Sequence, residues 1–116
     1  MSTLKKPAPI KRTTPGPKIH PGVLLKKYFL DGHELSQREF AERTGLPVSR
    51  INDIIKGRRG ITMDGAIRLA AVLGTTEQFW LNLQASYDRH CAIEVKGAEY
   101  AKLIPLPTPK PEDAAA

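Results

Sequence analysis

Residues 45–62, GLPVSRINDIIKGRRGIT, carry side chains that could bond to the edges of DNA bases. Arginine can donate two hydrogen bonds to guanine in the major groove, and asparagine can pair in two ways with adenine. Serine is short enough to let its backbone approach closely, proline can contact a thymine methyl, and an aspartate either accepts from cytosine or orients an arginine. We therefore predict a base-reading set led by the first two of these residues: Ser49, Arg50, Asn52, Pro47 and Asp53.

The spacing of apolar residues indicates that this stretch is a helix with one buried side. Val48, Ile51, Ile54 and Ile55 recur at helical intervals and should face a core. Ser49, Asp53 and Lys56 then point away from that core, with Arg50 and Asn52 on the flanks. The polar side is thus either a solvated face or a surface for a ligand.

A second helix should precede this one and end at a tight turn. Ser36 and Glu39 form an S-x-x-E capping box, and Gly45 is suited to a left-handed helix end. Pro47 favours a new helical start immediately afterwards. Two helices joined by a short glycine-containing turn are the helix-turn-helix arrangement, whose second helix enters the major groove.

Phosphate contacts are expected at the edges of this motif, because helix N-termini and basic loops attract anions. For the two consecutive arginines, a solvated loop is the alternative interpretation. The predicted phosphate-binding residues are Ser36, Gln37, Arg38, Lys56, Arg58 and Arg59.

Three further helices complete an all-α, five-helix prediction. The first begins near Pro21, with Val23, Leu24, Tyr28 and Phe29 as its inner side. The fourth is capped by Thr62, with Asp64 in its first turn, and is filled by Ile67, Leu69, Ala70 and Leu73. The fifth starts at a Thr75–Gln78 capping box and carries Phe79, Trp80, Leu83 and Tyr87.

The domain limits follow from proline and charge. Residues 1–19 are proline-rich and basic and are predicted to form a flexible arm; residues 20–96 form the helical domain; residues 97–116 form a proline-rich tail. The arm holds much of the +6 net charge, which favours a polyanionic partner. Arm and tail could order on a protein partner, the arm could follow DNA, or both could remain unbound.

Enzymatic and membrane functions are disfavoured. Cys91 is the only cysteine, so an internal disulfide is excluded and a reducing cytoplasm is expected. His90 and Cys91 are adjacent and diverge on a helix, and neither H-E-x-x-H nor Cys-x-x-Cys spacing occurs. We expect no metal, no cofactor, no catalytic activity and no membrane span.

Three segments, HPGVLL, LSQREFAERTGLPVSRINDIIKGRRGIT and LAAVLGTTEQFWLNLQASYD, resemble the HigA-type (VapI-like) antitoxins of HigB–HigA toxin–antitoxin modules. The resemblance spans about residues 20–90. It implies a lambda-repressor-like helix-turn-helix domain that forms a homodimer, binds a palindromic double-stranded operator, represses its own transcription and neutralises a HigB-type ribonuclease toxin of the RelE superfamily. It also implies a dimer interface in the final helices. The candidates are Trp80, Tyr87 and Leu83, and the residues themselves leave core packing open as the alternative.

Two other functions remain compatible with the sequence. A stand-alone helix-turn-helix regulator would bind DNA in the same way but would have no toxin partner. A protein-binding module could retain the helix-turn-helix as a scaffold only. An adjacent toxin gene would distinguish an antitoxin from the stand-alone regulator. A DNA affinity that does not change in Arg50→Ala would indicate the protein-binding module.

Overall fold

The computed structural model describes residues 18–107, which form five helices and no strand. Helix α1 comprises an α-helical turn, Pro21–Leu24, that continues as a π-helical segment, Leu25–Leu30. The other helices are α2 (Gln37–Thr44), α3 (Val48–Ile55), α4 (Met63–Leu73) and α5 (Glu77–Ala101). This confirms the all-α, five-helix prediction. None of these helices is both long and apolar enough to cross a bilayer.

The inner side of α1 was predicted correctly only for Leu24 and Phe29, which are half-buried, and the π-helical segment changes which residues share a face. Its backbone bonds span five residues, as in Asp31 N–H to Lys26 O (2.9 Å). Residues five apart therefore share a face, and Leu25 and Leu30 are the buried pair. Val23 and Tyr28, which a 3.6-residue period places inside, are 50% and 61% exposed.

The predicted helix ends of α2 and α4 are confirmed, because their signals are local. Ser36 Oγ accepts the Glu39 N–H (3.0 Å), and Thr62 Oγ1 accepts the Gly65 N–H (3.2 Å). Gly45 and Gly74 close these helices with φ of +76° and +73°, in the left-handed region that favours glycine.

The start of α5 differs from the predicted capping box. Thr76, not Thr75, is the cap, and its Oγ1 accepts the Phe79 N–H (3.1 Å). Thr75 Oγ1 instead accepts the indole N–H of Trp80 (2.7 Å). A buried indole N–H needs an acceptor, and this requirement decides the role of Thr75.

The core lies where α1, α2, α3, α4 and the first part of α5 meet. Its largest fully buried side chains include Trp80, Phe40, Leu25, Ile51 and Leu69. Val48 and Ile67, which were also predicted to be buried, are substantially exposed, and so is Phe79. Val48 begins α3 just outside the core, Ile67 lies on the outer side of α4, and Phe79 is 40% exposed while its ring packs edge-on against Trp80 (5.0 Å between centroids).

The predicted arm and tail meet the described structure only at their inner ends. Lys18 forms an ion pair with Glu94 of α5 (2.9 Å), so the last residues of the arm are tied to the domain. This contact raises the pKa of Lys18 and lowers the pKa of Glu94. Helix α5 passes a non-helical backbone at Lys96 and reaches Ala101, five residues into the predicted tail. The rest of the arm and the end of the tail lie outside the described residues.

Candidate nucleic-acid interface

The turn between α2 and α3 is held by contacts from both sides. Thr44 Oγ1 donates to Phe40 O (2.9 Å) and accepts the Leu46 N–H (3.3 Å), and Leu46 is buried. From α4, Arg68 donates to the Thr44 carbonyl (2.9 Å), which places a cation at the negative end of α2. The angle between the two helices is therefore fixed by the core and by the turn together.

Helix α3 is anchored by two isoleucines and exposes its opposite side. Ile51 and Ile54 are 0% and 1% exposed. Ser49 and Lys56 are exposed, as the helical spacing predicts, whereas Asp53, predicted on the same side, is half-buried. Pro47, at the N-cap, is also exposed. Because its buried side is fixed in the core, α3 holds its exposed polar side chains in a constant position for a ligand.

Arg50 lies on the flank of α3 and is turned toward α4. Its Nη2 donates to Thr62 Oγ1 (2.9 Å), while its buried Nε has no hydrogen-bond partner among the described residues. Thr62 is also bonded to Gly65, so it keeps one partner if Arg50 moves. A hydrogen bond with one charged partner contributes about 1.5–3 kcal/mol, which bidentate hydrogen bonds from the released guanidinium to a base could offset.

Asn52 and Asp53 are half-buried and are engaged by neighbouring side chains. Asn52 donates to Gln37 Oε1 (3.2 Å) and accepts from Arg58 Nη2 (2.9 Å). Asp53 Oδ1 accepts from Arg58 Nε (3.1 Å). Of the two roles open to Asp53, this geometry favours orienting an arginine over accepting from a base.

The predicted phosphate-binding residues line both ends of the motif. The Ser36 hydroxyl is used within α2, because it caps Glu39 N–H and donates to Glu39 Oε1 (3.2 Å). The N–H groups of Gln37 and Arg38 belong to the first turn, where helices have no internal acceptors. Arg38, Lys56 and Arg59 are exposed, whereas Arg58 is paired with Asp53.

The loop after α3 is fixed by backbone contacts that the sequence did not reveal. Asp53 O accepts the N–H groups of Arg58 (2.8 Å) and Arg59 (3.2 Å), and Gly57 has φ of +77°. Gln84 of α5 accepts the Ile61 N–H (2.8 Å) and donates to Asp88 (2.9 Å). Neither Gln84 nor Thr62 was predicted as a partner of this region, since only the packing of α4 and α5 brings them there.

His20 connects the same loop to α5. Its Nδ1 accepts the Gly22 N–H (3.0 Å), its ring packs edge-on against Tyr87 (4.8 Å between centroids), and it lies beside Gly57. Burial lowers the pKa of His20, against smaller opposing effects of Asp88 and the Arg59 carbonyl.

This lowered pKa predicts a pH-dependent stability. The unfolded chain binds a proton near the ordinary histidine pKa of about 6.5, whereas the folded chain does so only at lower pH. The stability contributed by neutral His20 is therefore complete above that value and is lost as pH falls toward the folded pKa. Urea titrations at pH 7.5 and 5.5 should show a larger loss for the wild type than for His20→Asn, which keeps a capping acceptor and does not titrate. Equal losses in the two proteins would contradict the role given to His20.

The three predicted dimer residues differ in burial. Trp80 is fully buried within the single chain and has no surface left for a second subunit, so its inclusion in the interface was wrong. Leu83 and Tyr87 are half-buried, Leu83 packs partly on the core, and Lys18 Nζ lies 5.7 Å from the Tyr87 ring centroid.

Comparison with known proteins places this geometry in a family. A family model described as helix-turn-helix matches residues 25–80. Virulence-associated protein I of Dichelobacter nodosus is 40% identical over 92 residues, which cover 79% of this chain and 84% of that protein.

Solved structures give the same relationship. A HigA-family addiction module antidote protein from Coxiella burnetii is 37% identical with a TM-score of 0.72, covering 77% of this chain and 98% of the other. The Pseudomonas aeruginosa antitoxin HigA, solved with the higBA promoter, is 35% identical with a TM-score of 0.74. The match covers 78% of this chain and 99% of that protein. The chain belongs to the HigA-type antitoxins, a branch of the helix-turn-helix DNA-binding regulators that includes VapI.

Proposed function

We propose that this antitoxin represses transcription by inserting α3 into the major groove of its own operator and that it neutralises a HigB-type toxin. The observation that carries the DNA-binding part is the exposure of Ser49 on a helix anchored by Ile51 and Ile54, between two clusters of phosphate-binding groups. The solved relative bound to a promoter supports this use of the fold. The action is non-enzymatic and takes place in the cytoplasm, where the operator lies.

Within α3, Ser49 and Arg50 are the proposed base-reading residues. Both are near the N-terminal end of α3, which is the part of a recognition helix that reaches the bases. Pro47 is placed to contact a thymine methyl. Arg38, Lys56 and Arg59, together with the first-turn N–H groups of α2, are the proposed phosphate contacts, which set register and affinity.

Arg50→Ala is expected to weaken operator binding by about 1–3 kcal/mol and to relax specificity at one base position. The loss should be small on random DNA, because a base contact does not form there. Gel-shift titrations of a fragment from upstream of the gene and of a scrambled fragment measure both affinities. Equal losses on the two fragments would contradict base reading by Arg50, and thermal melts show whether losing the Thr62 contact destabilises the fold.

Arg59→Ala is the matched control in this experiment, since Arg59 is exposed and forms no ion pair within residues 18–107. It should weaken binding to both fragments alike and lower the slope of log K against log salt by about 0.9. Wild-type protein that binds both fragments equally would overturn the proposed function.

A dimer is proposed because one helix-turn-helix makes few base contacts and two half-sites are spaced by about 34 Å of duplex. Phe79, Leu83 and Tyr87 follow one another at four-residue intervals along α5 and retain exposed surface. This stripe is the proposed two-fold interface, with Phe79 in place of Trp80. Residues 20–96 accordingly form the proposed DNA-binding and dimerisation unit.

The toxin distinguishes this proposal from a stand-alone regulator. The family supports neutralisation, while the observations on DNA binding suit both functions equally. Co-expression with the product of the adjacent gene should rescue growth and yield a stable complex. An absent neighbouring toxin gene, with operator binding intact, would favour the stand-alone regulator.

A further inference from the structure

Arg58 begins a chain of side-chain hydrogen bonds that crosses the helix-turn-helix. Its Nε donates to Asp53 Oδ1 (3.1 Å) and its Nη2 donates to Asn52 Oδ1 (2.9 Å). Asn52 Nδ2 in turn donates to Gln37 Oε1 (3.2 Å). The loop after α3 is thereby connected to the first residue of α2, at the opposite edge of the motif.

The chemistry of the first residue determines the orientation of the others. A guanidinium can only donate, whereas each amide has a donor end and an acceptor end that could exchange places. With Arg58 in position, Asn52 must turn its oxygen toward Arg58 and its NH2 toward Gln37. Gln37 must then turn its oxygen toward Asn52, which leaves its NH2 group available to an outside acceptor.

These contacts give Arg58 a different role from Arg59. The charge of Arg58 is opposed by Asp53, which without this partner would stand unpaired beside the expected position of DNA. Two donor nitrogens of Arg58 are already used within the protein. A lysine carries the same charge, but its single ammonium group cannot reproduce the planar fork that reaches Asn52 and Asp53 together.

We infer that Arg58 is a positioning residue that acts through Asn52, setting the Gln37 amide as a hydrogen-bond donor toward DNA rather than clamping a phosphate itself. This inference rests on the proposed function. The ligand of the oriented Gln37 amide is a hydrogen-bond acceptor, either a phosphate oxygen or a base-edge atom. In the same arrangement Asn52 is a support for Gln37, and it cannot bond adenine in two ways unless both of its present partners are released.

Charge-preserving variants separate positioning from phosphate binding. Arg58→Lys should lower operator affinity about tenfold, as expected for the loss of one or two hydrogen bonds, while the salt slope stays unchanged. Arg89→Lys, at an exposed arginine of α5 outside the proposed DNA contacts, is the matched control and should bind like the wild type. A loss for Arg58→Lys on operator alone assigns the Gln37 donor to a base edge, and an equal loss on scrambled DNA assigns it to a phosphate oxygen. Wild-type affinity of Arg58→Lys on both fragments would overturn the inference.

A double-mutant cycle tests whether Arg58 acts through Asn52. In an Asn52→Ala background, Arg58→Lys should have little further effect on operator affinity, because the chain is already broken and the positive charge beside Asp53 is kept. If Arg58 contacts phosphate directly, the two losses add and the salt slope of Arg58→Met falls by about 0.9. Additive losses would overturn the inference and leave the proposed function standing.

The free protein provides a readout that does not depend on DNA. The side-chain NH2 signals of Gln37 and Asn52 in 15N–1H spectra should shift in Arg58→Lys and stay unchanged in Arg59→Lys. Unchanged signals in both variants would refute the oriented chain whatever the DNA result. If the signals shift in Arg58→Lys but the wild type binds operator and scrambled DNA equally, the hydrogen-bond chain is supported and the proposed function is contradicted.

Discussion

Trp80→Ala is expected to lower the free energy of unfolding by about 3–5 kcal/mol, the range for removing a large buried aromatic side chain. Trp80 is 0% exposed, and its ring lies 5.2 Å from that of Phe29 and 5.0 Å from that of Phe79, between centroids. The variant also leaves the Thr75 hydroxyl without its indole partner. Urea titration followed by far-ultraviolet circular dichroism measures the loss without relying on tryptophan fluorescence.

Two controls divide this effect into its parts. Trp80→Phe keeps an aromatic ring but loses the N–H donor, so it should cost less than Trp80→Ala. Tyr28→Ala removes an aromatic side chain that is 61% exposed and should change stability by no more than about 0.5 kcal/mol. A loss below about 1 kcal/mol for Trp80→Ala would contradict the fully buried position and return this side chain to the candidates for a subunit contact.

Gly22→Ala is expected to cost about 3 kcal/mol or more, at the upper end of overpacking effects. A Cβ at this position would overlap the carbonyl oxygen of Ile54 and lie 2.7 Å from its carbonyl carbon and 2.9 Å from Ile55 Cα. These are backbone atoms of α3, so no side-chain rotation can relieve the overlap. The helix that carries the proposed base-reading residues must therefore shift relative to α1, and operator affinity should fall together with stability.

Gly74→Ala is the matched control for this substitution. Gly74 has φ of +73°, but a Cβ there would meet no atom within 4 Å. Its cost should be limited to the left-handed backbone, about 1–2 kcal/mol, with operator affinity unchanged once the protein is folded. If Gly22→Ala is no more destabilising than Gly74→Ala, the close approach of α1 to α3 is not present in solution.

The elements that could be predicted from the sequence are those specified by neighbouring residues. Ser36, Thr62 and Gly45 act within one turn of their own helix, and their predicted roles are confirmed. The π-helical segment escaped prediction because the 3.6-residue period was assumed throughout α1. Thr75 was misassigned because its partner is a buried indole, which competes with the helix end for the hydroxyl.

The sequence indicated which residues make up the candidate site but not which of them bond to each other. Helical spacing placed Ser49 and Lys56 on the outer side of α3, where they are exposed. It could not indicate that Arg50 reaches Thr62, 12 residues away, or that Asn52 reaches Gln37, 15 residues away. Those contacts depend on the angles between helices, which no single periodic pattern contains.

The Gln84 side chain, which joins α5 to the backbone of Ile61, has a geometric consequence. The loop after α3, which carries Arg58 and Arg59, cannot tilt independently of α5 while the Gln84–Ile61 hydrogen bond and the edge-on packing of His20 against Tyr87 persist. In a pair of chains joined along α5, the crossing angle of the two long helices would therefore set how far apart the two loops stand. The α5 surface between the two chains, which does not contact DNA, would then decide whether the two loops match the helical repeat of the duplex.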